Sequence, residues 1–185
     1  MNREKAFKLL NEYVKTDSLI KHCLAVEASM IAYAKEFNED IEKWSICGLL
    51  HDIDFEMYPE THPYKGLEIL RKNGYSEDLI MAVKGHAVKD ESRDSLMAKT
   101  LFAVDELSSF VVACALVRPT KLEGMKPKSV KKKFKTKSFA AAVDRDQIDE
   151  SAGDLGVDMN DHLNIIIKGL QDREEELNKE GLSLL

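Results

Sequence analysis

Six side chains in this sequence have the types and order to do chemistry: His22, His51, Asp52, His62, His86 and Asp105. His51 and Asp52 are adjacent, at the end of an apolar helical stretch, and the other four are spaced around them. Imidazole and carboxylate together suit first-row divalent ions, and six such groups are enough for two. A single histidine on an apolar stripe is more often a core residue with its hydrogen bond satisfied, and that reading holds for His22 taken alone. Asp105 resists it. It lies within LFAVDELSSFVVACAL, and a buried carboxylate is costly unless it is paired or bound to a cation. Its neighbour Glu106 must then point elsewhere, which the sequence suggests is solvent.

Helical periodicity supplies the elements that would position this set. Phe7, Leu10, Tyr13 and Val14 form a first stripe. A stronger one follows a cap at Asp17 or Ser18 and runs Leu19, His22, Cys23, Val26, Met30, Ile31, Ala34 at steps of three and four. Trp44, Cys47, Gly48 and His51 line the next helix, which ends near His51–Asp52. Adjacent helical residues point about 100° apart, so the pair can face one centre only at a helix end. Pro63 fits the first turn of a helix reaching about Lys72, with Gly74 suited to its C-terminal cap. Ser76 caps another helix running to about His86. Residues 87–93 are polar, and a long helix from Asp94 to about Val117 is ended by Pro119. Two more helices are expected, from Asp146 to Gly153 or Gly156 and from Asp158 or Asn160 to about Asn178. No segment alternates strictly, so the expectation is one all-α domain spanning 1–185.

The formal net charge of −6 argues against nucleic-acid binding by the whole surface. Residues 120–138 run against it, with eight lysines and one acid, Glu123. Cys23, Cys47 and Cys114 sit singly in apolar stretches and read as reduced core thiols in a cytoplasmic protein. The N-terminus lacks the apolar run of a signal peptide. The longest apolar run, Phe110–Val117, falls well short of the roughly 20 residues that span a bilayer.

The H…HD…D order of His22, His51–Asp52 and Asp105, with GLLHDID as its most specific segment, resembles the HD-domain superfamily of metal-dependent hydrolases. The resemblance covers about residues 18–117. It implies a helical bundle of the HD-domain type, with residues 118–185 packed on that core. His62 (in THPYKGLEIL) and His86 (in VKGHA) stand where the bimetallic branch carries two further histidines. By that resemblance Asp52 would bridge two metals, with His22, His51 and Asp105 on one and His62 and His86 on the other. Family members commonly follow the pair with Gly-Lys, or carry a carboxylate three residues beyond its Asp. Here Asp54 and Phe55 hold those places, which leaves the general acid or base open.

The resemblance implies hydrolysis of a phosphoric ester through metal-activated water, on a small phosphorylated metabolite with nucleotides favoured. One or two divalent transition-metal ions (Mn, Fe, Co, Ni or Zn) would serve as cofactors. Asp52 itself, Asp54 and Glu56 are the carboxylates in sequence reach of the reacting atoms. Arg118, just beyond the helix carrying Asp105, and Lys132, Lys133 and Lys135 are candidates to hold substrate phosphate. Phe134 alone is a thin basis for base stacking, so nucleic acid is disfavoured as a partner, as is a membrane. The same ligand pattern serves HD-type di-iron oxygenases, and a non-catalytic metal- or nucleotide-binding regulatory module is a third reading. Monomer and homodimer are both compatible with the sequence.

Overall fold

The computed structural model describes residues 2–88 and 93–185; most of the polar stretch 87–93 lies outside the described residues. Among those described there are nine α-helices and no strand. In chain order they are α1 (Arg3–Tyr13), α2 (Asp17–Phe37), α3 (Ile41–Leu50), α4 (Tyr64–Lys72), α5 (Glu77–Ala87), α6 (Leu96–Leu116), α7 (Pro127–Phe134), α8 (Arg145–Leu155) and α9 (Met159–Lys179). A short 3-10 turn, Pro59–Thr61, precedes α4. No helix among the described residues is long and apolar enough to cross a membrane.

The two 21-residue helices α2 and α6 form the axis of the bundle. α3 and α9 pack on α2, α5 and α8 on α6, and α1 against α3. With neighbours on several sides, α2 is buried without a break from Cys23 to Met30, well beyond the single stripe read in its sequence. The α2–α3 approach depends on Gly48, where a Cβ would lie 2.9 Å from the Glu27 Cα. That closeness brings the C-terminal end of α3 beside His22.

A charged side chain lies inside this contact. Glu27 is fully buried; Arg3 Nε donates to it at 2.6 Å and Ser45 Oγ at 2.6 Å, and Arg173 Nη2 lies 3.4 Å away. One carboxylate of α2 therefore fastens α1, α3 and α9. All three cysteines are buried free thiols, and burial pushes Cys114 up to about 11.

Several helix starts differ from expectation. Thr16, not Asp17 or Ser18, is the N-cap of α2 and makes no side-chain cap bond. Glu56 serves the entry to the helix from outside, its carboxylate accepting from the Lys15 and Thr16 amides at 3.0 and 2.9 Å. Ser95 caps α6 by accepting from Ala98 N at 3.1 Å, one residue beyond the expected start. Glu106 turns to the N-cap of α8 rather than simply into solvent, accepting from Asp144 N at 3.2 Å. The lysine-rich stretch contains a helix, α7, that its composition conceals. Val130 is buried, and Phe134 meets Phe110 of α6 edge-on at 5.3 Å.

Candidate metal centre

Five separate pieces of chain supply the six side chains. His22 comes from the first half of α2, His51 from the C-cap of α3, and Asp52 from the turn beyond it. His62 follows the 3-10 turn through a cis peptide to Pro63. His86 sits in the last turn of α5, and Asp105 midway along α6.

They converge. His22 Nε2 lies 3.0 Å from His51 Nε2, 3.2 Å from Asp105 Oδ1 and 3.4 Å from Asp52 Oδ2. His51 Nε2 lies 3.4 Å from Asp105 Oδ1 and 3.5 Å from Asp52 Oδ2. The other oxygen of Asp52 faces a different pair: Oδ1 is 3.5 Å from His62 Nε2 and 3.3 Å from His86 Nε2. Two groups have ligand atoms close enough for one ion, His22–His51–Asp105 and His51–Asp52–His86. Asp52, His22, Asp105 and His62 keep 13%, 20%, 16% and 11% of their side-chain surface exposed, whereas His51 keeps none. The centre therefore opens on the side away from His51.

Every imidazole presents Nε2 inward and ties Nδ1 to a group outside the cluster. The Nδ1 partners are Ser109 Oγ for His22 (2.9 Å), Gly48 O for His51 (2.7 Å), Asp54 Oδ1 for His62 (2.8 Å) and Val83 O for His86 (2.5 Å). A carbonyl only accepts, so His51 and His86 must carry their protons on Nδ1. In the neutral ring this leaves an Nε2 lone pair pointing into the cluster. The His51 lone pair lies 3.0 Å from His22 Nε2, so that contact takes either a proton on His22 or a cation shared by the two rings. This donor set fits one or two divalent cations, with the outer hydrogen bonds fixing tautomer and ring orientation as they do around bound metals.

The electrostatics agree. Burial works against ionisation of Asp52, but the His51 charge and hydrogen bonds from His22 and His86 hold its carboxyl well below the usual range. Asp105 is likewise held down against its burial, by His51 and by His22. Burial alone would lower His22, yet the Asp105 and Asp52 carboxylates push it up to about 10. The site is built for positive charge.

The remaining candidates lie elsewhere. Asp54 is fully buried, with Oδ1 on His62 and Oδ2 accepting from Gly66 N at 2.7 Å. It positions His62, and neither oxygen faces the cluster's open side. Gly66 has to be glycine here, since a Cβ would come within 2.8 Å of Asp54 Oδ1. Glu56 is committed to the amides ahead of α2. Arg118 donates to Lys121 O (2.9 Å), Glu123 O (2.8 Å) and Thr120 Oγ1 (3.2 Å), closing its own loop. The end of its helix lies about 17 Å along the axis from Asp105 at 1.5 Å per residue. Lys132, Lys133 and Lys135 belong to α7 and the residue after it. That helix packs on the face of α6 bearing Leu107 and Phe110, about 140–160° round the axis from Asp105. The structure does not bring Arg118 or these lysines to the cluster.

Two positioning residues escaped the sequence reading. Ser109 is four residues after Asp105 and shares its helix face, a spacing that could have found it. Gly66 carries no signal of its own; its part is set by Asp54, twelve residues earlier.

A family model described as the HD domain matches residues 19–109. Among curated proteins, a tRNA (cytidine(56)-2'-O)-methyltransferase of Thermoplasma volcanium is 35% identical over 79 residues, 42% of this chain and 23% of that protein. A Methanocaldococcus jannaschii protein of uncharacterized function is 33% identical over 92 residues, 46% of this chain and 54% of the relative. Ribonuclease Y of Nitratidesulfovibrio vulgaris is 31% identical over 96 residues, 50% of this chain and 18% of the enzyme. The matches thus span between about a fifth and a half of these relatives. No solved structure matches the chain.

Proposed function

We propose, for a chain that belongs to the HD-domain superfamily, a two-ion hydrolase of phosphoric esters acting on a small phosphorylated metabolite, with nucleotides as the favoured class. The observation that carries this reading is the division of Asp52. Its Oδ2 faces His22 and His51, and its Oδ1 faces His62 and His86. His22, His51, Asp105 and Asp52 Oδ2 would hold one divalent ion; His62, His86 and Asp52 Oδ1 the other. When bound, such ions lower the pKa of bound water and polarise a phosphoryl oxygen.

The chain's own residues do the rest. Ser109, Gly48, Asp54 and Val83 hold the four rings so that each Nε2 stays turned inward. Asp52 and Asp105 stay ionised at neutral pH, because the surrounding imidazoles outweigh their burial. The buried side formed by His51 excludes water, which confines substrate to the open side lined by His22 and Asp105. Ribonuclease Y is by name an enzyme of phosphodiesters, and its likeness supports phosphoryl chemistry at this centre. The methyltransferase matches over less than a quarter of its length, so methyl transfer is not carried over.

Metal analysis of the purified protein tests the proposal. Wild type is expected to hold two transition-metal ions per chain, Asp52→Ala to lose both and His86→Ala to lose one. Hydrolysis of a panel of phosphomonoesters and phosphodiesters, with oxygen uptake measured alongside, then separates hydrolase from di-iron oxygenase. Wild-type protein that binds no metal after reconstitution refutes the proposal; metal and nucleotide bound without turnover favours a regulatory module.

A further inference from the structure

A groove of about 370 Å³ runs between α2 and α6 directly beside the cluster, with His22 as part of its wall. On α2 it is bounded by residues from Asp17 to Ala25, on α6 by Ser109, Val112, Ala113 and Leu116, and Leu184 and Leu185 close it from the C-terminal segment. These positions fall at steps of three and four on each helix, so each contributes one continuous face. Ala25, Ser109 and Ala113 are small and leave this space open between the helices. The walls are mainly apolar, and Leu116 at the rim is 48% exposed. The volume falls within the range of small-molecule sites.

One end of the groove reaches His22, the one cluster residue in its lining, and the other is greasy. Among the groove's lining residues the one permanent cation is Lys21. Its ammonium pairs with Asp17 at 2.7 Å in an exposed i,i+4 arrangement, a contact weak enough to yield to a doubly charged ligand. Arg118 and the α7 lysines are held away from the cluster, and Lys21 is the cation that the groove's own lining offers to substrate charge.

We propose that this groove is the specificity site of the enzyme: it seats an apolar, ring-sized part of the substrate, while the attached phosphate lies at the His22 end within reach of Lys21. This rests on the hydrolase reading, and it narrows the substrate to phosphoric esters carrying a flat or apolar group. Sugar phosphates and inorganic pyrophosphate would leave the groove empty.

The test compares inorganic phosphate with 1-naphthyl phosphate, binding each to the metal-loaded full chain by calorimetry. Burying a naphthyl ring in an apolar site is expected to tighten binding by about tenfold or more over inorganic phosphate. Ala113→Trp, which fills the groove, and Leu116→Gln, which makes its rim polar without adding charge, should both erase that preference while inorganic phosphate, which makes no contact with the apolar end, keeps its affinity. Lys21→Gln should weaken both ligands. Equal affinities in wild type, or a preference untouched by both groove variants, overturns the proposal. If inorganic phosphate fails to bind with metal present while the naphthyl ester still binds in a groove-dependent way, the groove stands and the phosphohydrolase reading falls.

Discussion

His162 is expected to make the protein's stability fall steeply below neutral pH. It is fully buried between α2 and α6: Tyr33 donates its hydroxyl to Nδ1, and Nε2–H donates to Ala103 O at 3.1 Å. That arrangement has no place for a second proton. Burial, only partly offset by the Ala103 bond, lowers its pKa to about 4, against about 6.5 in an unfolded chain. Between these values the unfolded chain binds more protons than the folded one, so stability rises with pH across the window and is lost as pH falls through it. The full difference is about 3 kcal/mol below pH 4, at 1.36 kcal/mol per unit. Between about pH 7.5 and 5 the same relation gives a loss of about 2 kcal/mol, or roughly 4–8 °C in Tm for a chain of this size. Urea unfolding followed by circular dichroism at a series of pH values measures it. His22 is shifted too, upward by its neighbouring carboxylates, so the comparison is wild type against His162→Gln under identical metal conditions. The variant is less stable at neutral pH but should have a flatter dependence, the two curves converging by about 2 kcal/mol on going to pH 5. Parallel curves would refute the assignment of that slope to His162.

Asp54→Ala removes the acceptor that orients His62, and should cost about 10–100-fold in affinity for the ion at the His62–His86 side. Metal titration should show the His22 side retained; equal loss from both sides would contradict this division. Gly48→Ala places a Cβ 2.9 Å from backbone of Glu27, and is expected to cost about 1–3 kcal/mol in urea unfolding. Metal binding should release protons, since His22 without a cation keeps its proton up to about 10. Apparent affinity should then fall about tenfold per unit of falling pH for each proton displaced, and calorimetry in buffers of different ionisation enthalpy counts those protons. Glu27→Gln leaves Arg3 and Arg173 without their shared charge and should destabilise by about 3–5 kcal/mol, read from denaturant midpoints.

The sequence made the fold class and the six-residue cluster legible because both depend on local order. Period-three-and-four stripes mark helices, and a His–Asp pair at a helix end stands out whatever surrounds it. What escaped reading depends on contacts between distant segments. Asp54 looks like a free acid in an acidic loop until Gly66 and His62 fold against it. Arg118 looks like a phosphate ligand until its own loop returns to occupy it. α7 is masked because its two anchors, Val130 and Phe134, sit among lysines that dominate the composition. Glu27 falls off the apolar stripe of α2 and reads as surface, yet helices from both ends of the chain close over it.

That closure bears on how far the matched core can stand alone. The matched stretch, residues 19–109, includes Glu27 but neither Arg3 nor Arg173, the two cations that neutralise it. An excised core would lose both arginines and the helices that cover Glu27, opening this part of α2 to water five residues from His22. The flanking helices are thus the clasp of the centre rather than its ornament, and a graft of this core into another protein would have to bring two arginines with it.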